Sequence, residues 1–155
     1  MEEIWIKNEL KIDKNGSFFH KNNKNSDVLF DEIKLACNGL VYISESDAPL
    51  RPYTGPRTTE VTEEIILHQT GAKADAPLEE VAFDEFFGQL TAIKDWFGET
   101  QMSKAKRFLA LQKLLENNLH SLKVFRIGEI QVDIYAVGIG TDACLMGVMT
   151  KAVET

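Results

Sequence analysis

Ser44-Glu45-Ser46-Asp47 sets two carboxylates and two hydroxyls on a loop bounded by Pro49 and Pro52, just past a short apolar run. Carboxylates so placed suit a general base or a contact with another molecule's cation, although a turn whose Ser and Asp bond their own backbone has the same composition. The chain end, Lys151-Ala152-Val153-Glu154-Thr155, follows almost directly on an expected strand, an arrangement that would hold the terminal hydroxyl and carboxylate of Thr155 firmly. Other motifs carry less chemistry. Gly138-Ile139-Gly140-Thr141-Asp142-Ala143 fits the dinucleotide pattern, but 12 residues remain after Ala143, too few for a crossover helix and a second strand. It reads as a glycine-rich turn between strands. His20, His68 and His120 lack metal-ligand spacing, and His68, beside Gln69-Thr70-Gly71, reads as a helix-end histidine. An enzyme would have to use Glu45 or Asp47 as general base with His68 or His120 brought near by the fold. Cys37 and Cys144 lie 107 positions apart and read as reduced thiols in apolar surroundings. No metal of its own and no cofactor are expected.

The elements that must position these residues follow from periodicity. Ile4-Trp5-Ile6 and Leu10-Lys11-Ile12, then Asp13-Lys14-Asn15-Gly16 before Phe18-Phe19, make residues 1–25 an N-terminal extension, either a short hairpin or a loosely held arm. Ser26 as N-cap, with Val28, Leu29, Ile33, Ala36, Cys37 and Leu40 at helical spacing, predicts a first helix ending near Gly39. After Leu40–Ile43, the prolines predict an irregular loop as far as Gly55-Pro56. A second helix is expected from about Thr58–Thr62 to Thr70-Gly71, a strand over Leu78–Phe83 and a helical turn capped by Asp84. The longest amphipathic helix is expected over Met102–Leu122, a hairpin over Val124–Ile127 and Val132–Val137, and a last strand over Leu145–Val153. Helices followed by antiparallel strands indicate an α+β fold with helices packed on a sheet.

Charge narrows the partners. The 155 residues carry 24 acids, 17 bases and a net −7. Residues 60–90 hold 8 acids against 1 base, so almost all the excess lies there. Direct nucleic-acid binding is disfavoured, because phosphate neutralisation by Lys and Arg supplies most of that affinity. Glu60, Glu63, Glu64, Glu79, Glu80, Asp84 and Glu85 either solvate helix and strand surfaces or face a basic partner. No run approaches the ~18 apolar residues of a membrane helix, and Met1-Glu2-Glu3-Ile4-Trp5 is unlike a signal peptide, so a soluble cytoplasmic domain is expected.

Gly39-Leu40, Ser44-Glu45-Ser46-Asp47-x-Pro49, Thr62-x-Glu64-Ile65-x-Leu67-x-Gln69-Thr70-Gly71, Asp75-Ala76-Pro77, Phe86-Phe87, Asp95-Trp96, Arg126-x-Gly128-Glu129 and Thr150-Lys151-x-Val153-Glu154-Thr155 together resemble the bacterial nuclease A inhibitor family. The resemblance runs from about residue 27 to the end and leaves residues 26–155 as one inhibitor-like domain. It implies an α/β/α sandwich with a mostly antiparallel sheet, no catalysis, and a monomer that blocks the magnesium-containing active site of a basic, sugar-nonspecific ββα-metal endonuclease. It also implies contacts through Glu45 and Thr155, which would approach the partner's magnesium, supported by Ser44, Ser46, Asp47, Trp96 and Glu154. A third contact, a glutamine in the family, falls on Lys94. That cation departs from the pattern and leaves open a different basic protein as target.

Overall fold

The computed structural model describes residues 25–71 and 76–154, together with the backbone of two short strands nearer the amino terminus. Those strands, β1 (Lys11–Ile12) and β2 (Phe18–Phe19), pair antiparallel with Lys11 opposite Phe19. The expected Asn15-Gly16 turn and the Ile4–Ile6 run lie outside the described residues, as does Thr155.

Helix α1 (Ser26–Cys37) starts one residue differently from expectation, because the Asn25 side chain accepts from the Val28 N–H at 2.9 Å. Ser26 is therefore the first helical residue, and its hydroxyl is available for a distant partner. The helix buries Leu29, Ile33 and Cys37 and stops before Gly39, whose φ of +80° suits only glycine comfortably. Burial pushes the Cys37 thiol up to about 12, with Arg107 acting weakly the other way.

The irregular loop expected between residues 44 and 56 is irregular only over 44–47; beyond it stand two strands, β4 (Ala48–Pro49) and β5 (Arg51–Arg57), with β4 forming a hairpin on β3 (Val41–Tyr42). Pro52 and Pro56 are tolerated because β5 is an edge strand, paired on one side only with β9 (Cys144–Val153). Its register shifts between Thr54 and Arg57, so a bulge takes up Gly55-Pro56.

Helix α2 (Glu63–Thr70) follows the sequence reading closely, from the Thr62 cap to Gly71 at φ +73°. Next come β6 (Leu78–Val81), α3 (Phe83–Thr91) and α4 (Glu99–Asn118). Asp84 lies inside α3 rather than capping it, since Ala82 takes the N-cap position without a side-chain bond. Helix α4 ends four residues short of the expected Leu122. Leu119 turns extended and Ser121 takes φ +58°, so His120 already opens β7 (His120–Ile127) on β8 (Gln131–Ile139). Apolar residues at helical spacing continued past the helix because the strand's own buried face begins there.

The five-stranded sheet runs β5-β9-β8-β7-β6, every neighbour antiparallel. It is covered on both faces. Val132, Ile134 and Ala136 of β8 meet Ile33 of α1, Phe87 of α3 and Leu111 of α4, whereas Tyr135, Val137 and Ile139 meet Ile66 of α2. Alternation along one strand thus feeds two cores, each large side chain contributing about 1.5–3 kcal/mol on burial. The architecture is the expected α+β sandwich. Gly140–Ala143 is the plain turn between β8 and β9, with Ala143 at φ +59° and its N–H bonded to Gly140 O at 3.0 Å.

Candidate functional site

The loop of residues 43–47 closes the β3–β4 hairpin, with Val41 opposite Pro49 and Tyr42 opposite Ala48. Ser44 is half-buried, and Glu45, Ser46 and Asp47 are exposed. The Ser44 hydroxyl donates to Ser46 O at 2.7 Å and accepts from Ser46 N at 3.3 Å, the self-bonded turn that serine favours. The same oxygen accepts from Val153 N at 3.0 Å, and Glu45 N donates to Val153 O at 3.3 Å. Two adjacent loop residues therefore hold both backbone groups of one residue in β9. Behind them, Thr150 Oγ1 donates to Pro49 O at 3.0 Å, fixing the base of the hairpin to the same strand.

The end of β9 is tied on its other side as well. Glu154 N donates to Ile130 O at 2.8 Å in the β7–β8 turn, and the Glu154 carboxylate accepts from the Arg126 guanidinium. Arg126 Nε also lies 3.6 Å from Glu79, and the Tyr42 side chain is near enough to favour the Arg126 charge. Tyr42 in turn stacks on Phe86 at 5.8 Å. Glu154, named as a supporting residue, is thus brought to the Glu45 loop through Val153.

Over residues 27–155 the sequence matches a family model described as nuclease A inhibitor-like protein. The chain belongs to this family. No curated protein matches it.

Of the residues that membership draws attention to, Lys94 and Trp96 stand on the α3–α4 loop, not on the hairpin. Helix α4, about 30 Å long at 1.5 Å per residue, leads directly into β7. Trp96 is 70 % exposed and meets Phe97 edge-on at 4.8 Å, while Lys94 O accepts from Phe97 N at 3.0 Å.

The histidines weighed for an enzyme are not brought to the acids. His120 pairs with Ile139 at the far end of β7, seven residues or about 23 Å from Ile127. His68 sits on α2, across the sheet from the hairpin, whose Tyr42 packs with the opposite core. Among the described residues there is no group of three or more His, Cys, Asp or Glu able to hold a metal. Beside the loop lies a cleft of about 430 Å³ that includes Asp47, Gln131, Asp133 and Lys151, the last two joined by an ion pair at 3.3 Å.

Sequence reasoning missed Ile43 and Ile130, 64 % and 59 % exposed in the two turns that flank Val153 and Glu154. Isoleucine at a turn is the signal that was available. It also missed what Arg126 does, although a cation between Phe125 and Ile127 in a buried strand was visible.

Proposed function

We propose that this chain inhibits a basic, magnesium-dependent, sugar-nonspecific nuclease by inserting the Glu45 loop and the chain end into its active site. The observation that carries the reading is the pair of bonds between the Ser44-Glu45 backbone and Val153, which makes one rigid unit of the loop and the strand leading to Thr155. A site built for phosphodiesters combines a divalent cation with basic groups, and carboxylate or hydroxyl oxygens are suitable ligands for that cation directly or through its waters. Glu45 supplies such a carboxylate on an exposed loop, and Thr155 would supply a second group. Exposed Ile43, Ile130 and Trp96 supply apolar area for a rim that excludes water.

Titration of such a nuclease tests the reading. Glu45→Ala and deletion of Thr155 should each weaken inhibition by 2 kcal/mol or more, about 30-fold, the scale of an interface hot spot. Unchanged potency for both variants would sink the mechanism. Lys94 favours a second reading, in which the same unit engages a different basic protein, since it places a cation where the family resemblance expects a neutral amide. Lys94→Gln should then improve nuclease inhibition from a weak starting value, and a wild type that already inhibits tightly removes the need for this reading.

A further inference from the structure

We infer that Arg126 is a positioning residue that locks the hairpin and the chain end into one orientation, an inference that rests on the inhibitory reading of that end. Arg126 lies in β7 beside Phe125 and Ile127, both buried, and its own side chain is only 17 % exposed. A cation so placed is retained only where partners compensate its desolvation. The partners here come from three elements: Glu154 beyond β9, Tyr42 of β3, and Glu79 of β6. Of these three, only β6 is a sheet neighbour of β7; β9 lies beyond β8, and β3 is outside the sheet. The Ser44 and Glu45 bonds to Val153 already join the loop to β9, and the planar guanidinium adds a second tie, bonding Glu154 while facing Tyr42 of the hairpin. Burial works against the Arg126 charge, yet the hydrogen bonds and charges of Glu154 and Tyr42 outweigh it and raise its pKa. Tyr42 precedes Glu45 by three residues, and Glu154 immediately precedes Thr155.

Amide hydrogen exchange on the full chain separates this role from ordinary stabilisation. Arg126→Gln should speed exchange at Glu45, Val153 and Glu154 roughly tenfold while leaving Tyr135 and Val137 in the middle of the sheet unchanged. Nuclease inhibition should weaken by about the same factor, and deleting Thr155 beforehand should abolish that further loss. Glu154→Gln, at a half-exposed position, should reproduce the three-amide pattern and serves if Arg126→Gln does not fold. Unchanged exchange at these amides overturns the inference, as does uniform acceleration across the sheet, the signature of a plain fold-stabilising ion pair. Should the wild type inhibit no such nuclease, the inhibitory reading fails while the exchange pattern still decides whether Arg126 positions this end.

Discussion

Ser26 and Asp142 meet at one end of the central sheet, and Ser44 and Glu45 lie at the other. In the first pair the Ser26 hydroxyl and N–H both donate to the Asp142 carboxylate, at 2.8 and 3.2 Å, pinning the first turn of α1 to the β8–β9 turn. The acid's charge is satisfied by the protein itself, and its pKa falls below the usual carboxylate range chiefly through those Ser26 bonds. In the second pair the serine takes backbone partners, Ser46 and Val153, while the acid beside it lies on the exposed tip of the loop. A serine and a carboxylic acid thus anchor one end of the molecule and present the other. What separates them is the serine's partner: Ser26 bonds the acid itself, whereas Ser44 bonds backbone groups beside an acid on an exposed loop.

Matched substitutions sharpen this contrast most. Ser44→Ala should cost about 1 kcal/mol of stability in thermal unfolding and weaken nuclease inhibition about tenfold, because the staple to Val153 is lost. Ser26→Ala should lower the melting temperature and leave inhibition unchanged; equal effects of both on inhibition would break the distinction between the two ends.

A smaller effect is expected from Asp142→Asn, and it depends on pH. A carboxylate whose folded-state pKa is depressed contributes stability above its unfolded pKa and loses that contribution as pH falls through the folded one. The variant should therefore melt below the wild type at neutral pH, with the gap closing as the pH drops below about 4. A gap that persists in acid would mean that the Ser26 contacts, rather than the charge, carry the anchoring.

The smallest change concerns approach rather than contact. Glu63, Glu64, Glu80 and Glu85 are exposed, and neutralising them should slow association with a basic nuclease several-fold at low salt, flatten the salt dependence and leave dissociation nearly constant. Glu79 is omitted because it pairs with Arg126. A large rise in dissociation rate would move one or more of these acids into the interface.

Local signals were legible where they agreed with tertiary demands. Thr62 and Gly71 bracket α2, and the β7–β8 and β8–β9 hairpins lie where the period of two and the glycine turns placed them. They misled where the sheet overrode them: Pro52 and Pro56 read as loop until an edge position made their missing N–H groups harmless, and Leu119–Leu122 read as helix until pairing with β8 claimed the segment. The site divides in the same way. The Glu45 loop stood out by composition, whereas Arg126 did not, because its partners at positions 42, 79 and 154 are remote in sequence.

By itself, the sequence determined the order of helices and strands, the concentration of acid between residues 60 and 90 and the run of motifs that marks a nuclease A inhibitor-like chain, all of which depend on neighbours a few positions apart. Only the tertiary structure decided that Ser44 would hold Val153, 109 positions away, and that Ser26 would hold Asp142, 116 positions away. A hydrogen bond requires its partners within about 3 Å, and no local pattern specifies which of many serines and acids in a folded chain will meet that condition.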